Sequence, residues 1–144
     1  MRVDFNLSDA SLKAFERSCE ATITKVGNGS RKALLEACQI ISENSLNQVP
    51  RDTSTLALSH FFEISGNYRE GWSAVIGYGG NGDPVNPKTG MKASSYMMAV
   101  HEDLDAYHPH GGKAKFLEDP VREFAAERFP RTVFKHVQGA LSSM

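Results

Sequence analysis

No apolar run in this sequence approaches the ~20 residues that a membrane-spanning helix needs. Residues 1–12 are polar and mixed, with no apolar stretch of the kind that forms a signal peptide. The expectation is a soluble protein made in a cytoplasm. An excess of one charge is also lacking: the net charge is −1, so the chain has no overall basic footprint for nucleic acid. Cysteine is scarce. Cys19 and Cys38 stand alone, outside any CxxC spacing, and both fall at small apolar positions of helical patterns, which reads as buried free thiols. GxSxG, HExxH and the phosphate-loop pattern do not occur, residues 79–95 contain no GxGxxG, and Lys88-Thr89 lacks the preceding glycine spacing.

What is present is an ordinary globular composition in 144 residues, enough for one domain with a single core. Ser8-Asp9 suits a helix N-cap. Leu12, Phe15, Cys19, Ile23 and Val26 then repeat at steps of three and four, one apolar stripe of a helix. Gly27-Asn28-Gly29-Ser30 interrupts the stripe, which resumes nearly in phase at Leu34, Ala37 and Ile41. Two helices, about 9–26 and 30–47, are favoured, because two interior glycines cost ~1 kcal/mol each. One long helix with a weak middle is the alternative. Val49-Pro50 ends the helical region.

After the turn-rich 51–55, Leu58, His60, Phe62 and Ile64 alternate, and so do Trp72, Ala74, Ile76 and Tyr78. The pattern predicts a hairpin of strands at about 56–65 and 70–79, turning at Ser65-Gly66-Asn67, with room for a further strand. Trp72 falls on the core face. Residues 79–95 form a long glycine-rich loop of the kind that is either mobile or functional. A short helix over 95–104 follows. Asp119-Pro120 marks the start of a last helix, with Asp119 at the N-cap, although the helix has room to begin near Phe116. Pro130 predicts a kink near 126–130. The fold class expected is α+β, a single domain of 1–144: an antiparallel sheet packed against a long N-terminal helical region and a long C-terminal helix.

The densest chemistry lies at 101–110, where His101, Glu102, Asp103, Asp105, His108 and His110 cluster. A local metal site or an acid–base pair is one reading, and a small metal-dependent hydrolase using these residues follows from it. The spacing opposes it, since His101 has no histidine partner at i+4 and His108-Pro109-His110 points its two rings to opposite sides. The plainer reading is a polar helix end and a solvated turn, with the histidines at an interface. Arg128, Arg131 and Lys135 make a basic segment with no acid after Glu127. They read as a solvated helix face rather than as phosphate contacts. A protein that works by contact fits better than a catalyst, and a small soluble binding module is an alternative within that class.

Three segments in order carry a resemblance. Val49-Pro50-Arg51-Asp52-Thr53-Ser54-Thr55-Leu56 through Ser59 resembles a V-P-x-D-T-G-x-L-x-x-S segment. Tyr96 through Val100-His101-Glu102 resembles Y-x-x-x-V-H-E, and Gly112 through Phe116-Leu117-Glu118 resembles G-x-A-K-F-L-E. Together they resemble the siphophage neck family: tail-completion, or head–tail joining, proteins often labelled minor tail component. The likeness covers about residues 30–142, leaving 1–29 as a less typical helical extension. Ser54 stands where the family has glycine. The resemblance implies a non-enzymatic virion protein without cofactors, located at the neck. It implies a homo-oligomeric ring, a hexamer ahead of a dodecamer. Its partners would be a tail terminator or tail tube protein and head-completion adaptors, with DNA passing through the lumen and no membrane. Pro50, Asp52, Thr53, Tyr96, His101, Phe116 and Leu117 would be its structural motif. Glu102, Asp103, Asp105, His108 and His110 on one face, and Arg128, Arg131 and Lys135 on another, are the expected interface.

Overall fold

A computed structural model describes residues 1–2 and 8–143 of the chain. The weak alternation of residues 1–7, which reads as a short strand or arm, falls mostly outside the described residues. Helix α1, Asp9–Gln48, then runs for 40 residues, about 60 Å at 1.5 Å per residue. Ser8 caps it, its hydroxyl accepting from the Ser11 amide at 3.2 Å. Val49 leaves helical geometry just before Pro50.

The favoured break at Gly27–Ser30 is overturned, and the single-helix alternative is the one realised. Both glycines are buried against other elements. A Cβ on Gly27 would lie 2.4 Å from the Tyr68 Cβ, and one on Gly29 would lie 2.8 Å from the His136 carbonyl oxygen. They are there for close approach, which offsets their poor helix propensity. Ser30 turns its hydroxyl back onto the Val26 carbonyl at 2.9 Å, inside the helix.

Residues 56–58, expected to open the first strand, instead belong to the single turn α2, Thr55–Leu58, which leaves Leu58 exposed. Strands β1, Phe61–Asn67, and β2, Gly71–Gly77, pair antiparallel, with Phe61 opposite Gly77 and Asn67 opposite Gly71. The turn lies at 68–70, later than expected. There the Asn67 side chain accepts from the Arg69 and Glu70 amides, each at 2.9 Å. Gly66 belongs to the strand, with φ +117, and a Cβ there would meet the Gly71 carbonyl oxygen at 2.1 Å. Among the described residues the only trace of a further strand is the bridge between Val85 and Lys92.

The loop before helix α3, Ala93–Glu102, is better anchored than its composition suggests. The Gly79 and Gly80 amides bond to Ser59 at 3.0 and 2.9 Å. The Asp83 carboxylate accepts from the amide and the hydroxyl of Ser94, satisfying donors at the start of α3 that its own N-cap residue leaves open.

The C-terminal helical run is α4, Glu118–Glu123, a π-helical turn, Phe124–Arg128, and α5, Phe129–Ser142. Asp119 is not the N-cap: Leu117 holds that position, and Asp119 pairs with Lys113 at 2.5 Å. The irregularity expected at Pro130 takes the form of the π turn, in which the Phe129 amide reaches back five residues to the Phe124 carbonyl. Proline lacks the N–H that would continue the α ladder. The π turn and α5 lie antiparallel along α1, with Phe124 beside Ala37 and Ile41 and Val137 against Gly29. Trp72, Ala74 and Ile76 form the less exposed side of β2, and Ile76 packs onto this same cluster. A second core joins Val49, Leu56, Tyr78, Ala93 and Phe116, and Leu117 touches both. No described helix is long and apolar enough to cross a membrane.

Candidate functional site

The fold brings the three resembling segments to one joint. The Lys113 amide donates to the Gln48 carbonyl at 2.8 Å, and the Lys115 amide to the His101 carbonyl at 2.8 Å. Gly112 lies against the backbone of Val49 and Pro50 with φ +97. Phe116, 1% exposed, sits between two rings set edge-on to it, Tyr78 and His101, each with its centroid 5.0 Å away. Tyr78 reaches on to the Ser45 hydroxyl at 2.7 Å, and burial pushes its phenol above the usual range. Leu56, Tyr96 and Val100 pack around the same core. Ser54, at the position where the resembled pattern has glycine, has φ +60. That is left-handed geometry, which glycine adopts most readily.

His101 is committed on both nitrogens. Nε2 accepts from the Glu118 amide at 3.3 Å, so Nδ1 carries the hydrogen and donates to Glu102 at 2.8 Å. Lys115 bridges Glu118, at 2.9 Å, and Glu102. That ammonium, and then the imidazole, holds the Glu102 carboxyl below its ordinary range, and the two carboxylates raise Lys115 in return. Ligand atoms of His101, Glu102 and Glu118 lie within 4.8 Å of one another. A lysine already supplies the positive charge between the carboxylates, so the trio works as a salt-bridged clasp between α3 and α4. The His101–His110 set considered from sequence is not brought together. His108 borders two clefts beside Pro50 and Asp52, and His110 Nε2 lies 3.7 Å from the Asp52 carboxylate. Asp52 itself is held by Lys88 at 2.7 Å, which lowers its pKa, and Thr53 bonds Thr55 at 2.7 Å.

Two nucleophilic side chains, Ser59 and Cys38, serve packing. Ser59 is buried, donating to the Leu56 carbonyl and accepting from the Gly79 amide. Burial pushes the Cys38 thiol up, away from the reactive thiolate.

Three residues of the expected interface have partners within the chain, one being His110 beside Asp52. Glu102 belongs to the clasp. Lys135 pairs with Glu36 at 2.8 Å beside His136 at 2.6 Å, tying α5 to α1. What remains for contact is the half-buried His108, Asp103 and Asp105, joined by the Asp105 amide on the Asp103 carboxylate, and Arg128 and Arg131. Arg128 spreads over the Phe124 ring at 5.5 Å.

A further surface was not visible from periodicity. Residues 8–18 are all exposed, including Leu12 at 42% and Phe15 at 68%. The stripe was readable. That no described residue folds over its first half was not. Beside it lies an open groove of about 470 Å³ between the hairpin tip and α5. No family profile, curated protein or solved structure matches the chain.

Proposed function

We infer that this chain is a structural subunit of a siphophage neck, forming a ring at the head–tail junction and completing the tail for docking to the capsid. One observation carries the reading. The three segments that resemble the neck family, far apart in sequence, meet in a single joint around Phe116. A motif whose residues clasp helices together suits a subunit that must hold its shape under assembly, and it supplies no reaction.

The ring is built from copies of this chain, six ahead of twelve, and meets a tail terminator or tube protein on one side and head-completion adaptors on the other. DNA passes its lumen. A ring needs a heterologous contact, one patch against a different one. Asp103 and Asp105 facing Arg128 and Arg131 of the next copy supply one such pairing. The exposed tip of the 79–95 loop, at Lys88–Met91, is placed to meet a neighbouring ring.

The order of genes around its own tests the assignment. Portal and capsid genes upstream and a tail-tube gene just downstream are expected. A setting of metabolic or regulatory genes would contradict it.

A further inference from the structure

Helix α1 extends past the body of the domain. Its first ten residues, Asp9–Ser18, contain none that is buried and span about 15 Å. These first turns are held only by propagation from the packed part of α1, without the burial of an apolar face that gives most helices their stability. Yet it carries an apolar ridge of Leu12, Phe15 and Cys19, spaced at i, i+3 and i+7, the pattern of a helix that anchors in a groove.

A matching groove exists on the same chain. Ile23 and Leu34 of α1 contribute to its floor. Tyr68 and Trp72 of the hairpin form one wall, and Phe129 and Val133 of α5 the other. Its volume of about 470 Å³ lies in the range that engulfs a small organic ligand, so it has room for large apolar side chains. A chain's own ridge continues straight along α1 into its own groove floor, and a straight helix cannot fold back to fill it.

We propose that the ridge of one copy docks in the groove of a second copy of this chain. Charge favours that occupant. Asp9 and Glu16 lie together on one flank of the ridge, by helical phase. Arg31, exposed on α1 beside the groove, holds its guanidinium over the Trp72 ring at 5.6 Å. Docking with the acidic flank toward Trp72 sets these carboxylates against the guanidinium, and each copy offers both halves of the contact. Ridge and groove are different patches, as head-to-tail assembly requires. The inference rests on the ring reading only for the number of copies that closes the assembly.

The test uses the full chain in three forms: wild type, Phe15→Asp and Phe15→Leu. Position 15 is exposed, so folding should be unchanged, as checked by far-ultraviolet circular dichroism. Light scattering on a sizing column should show wild-type assembly. Phe15→Asp should raise the concentration for half assembly by roughly thirtyfold or more, the scale of losing one anchor residue, and Phe15→Leu should largely retain assembly. A photo-crosslinking residue at 15 should label peptides containing Trp72 or Val133 of an isotopically marked second copy. Assembly of Phe15→Asp like wild type, or labelling elsewhere, overturns the docking, and rings that persist in that variant leave the ring reading standing. Wild-type dimers lost in Phe15→Asp keep the docking and sink the ring. A wild type that stays monomeric at every concentration overturns both.

Discussion

Gly112 presses its backbone against Pro50: a Cβ at 112 would stand 2.5 Å from the Pro50 Cα. The contact brings the end of α1 and the approach to the last helical run within one peptide of each other, and the Lys113 amide bonds to Gln48 beside it. Gly111, with φ +90, has nothing within 4 Å of the same position. Gly112→Ala should therefore cost more than Gly111→Ala. The second loses only the left-handed conformation, about 1 kcal/mol. The first adds a backbone clash, for a total of roughly 3 kcal/mol. Urea midpoints of the two variants measure the difference, and equal midpoints would remove the close approach from the account.

Phe116→Ala should destabilise by roughly 3–5 kcal/mol, the range for emptying a buried aromatic site. It also strips Tyr78 and His101 of their shared ring partner. His108→Ala, outside both core clusters, should cost well under that and act on assembly if on anything. Denaturation of both variants at one pH gives the comparison.

Ser54→Gly should stabilise by up to about 1 kcal/mol. An L residue at φ +60 is strained, and the relief exceeds the extra chain entropy that glycine brings to the unfolded state. A drop in thermal midpoint on this substitution would mean that the Ser54 side chain contributes more than its backbone costs.

His60 sets a pH dependence. Its ring packs edge-on against Tyr78 at 5.2 Å, Nε2 is buried with no protein partner among the described residues, and burial holds its pKa below the ordinary 6.5. The imidazole is thus neutral in the fold. The unfolded chain takes up a proton first as pH falls below about 6.5. Stability should decline from there until the depressed folded value is passed, and stay level below it. His60→Phe should flatten this limb. The paired carboxylates Glu20, Glu36, Asp52, Asp83, Glu102 and Asp119, all lowered in the fold, lose their contribution only at lower pH, below their ordinary range near 4. A thermal-midpoint series from pH 7 to 5 on both proteins separates the two.

Reversing Arg128 and Arg131 together to Glu should weaken assembly at low salt and matter less at high salt, because exposed pairs are screened. Sedimentation at two ionic strengths reads this out. Wild-type assembly at low salt would end the pairing of Asp103 and Asp105 with these arginines.

Much of the fold could be read in advance, and the misses share one cause. The α+β class, the hairpin and the irregularity at Pro130 follow from local periodicity and proline chemistry. Gly27 and Gly29 misled because glycine signals both turns and close approach, and only the positions of Tyr68 and His136 decide between them. Gly66 shifted the expected hairpin turn for the same reason. Asp119-Pro120 looked like a cap, but Lys113 competes for the carboxylate. Composition drew attention to the 101–110 cluster, whereas Lys115, fourteen residues after His101, turns Glu102 into half of a clasp. Which half of the long apolar stripe is covered depends on where α5 ends, and no local pattern encodes that.

Negative-stain imaging of the purified full chain bears most directly on the ring. Class averages should show closed rings of one rotational symmetry, with a central opening wide enough to pass duplex DNA. Monomers only, or isolated dimers that never close at any protein concentration, would contradict it.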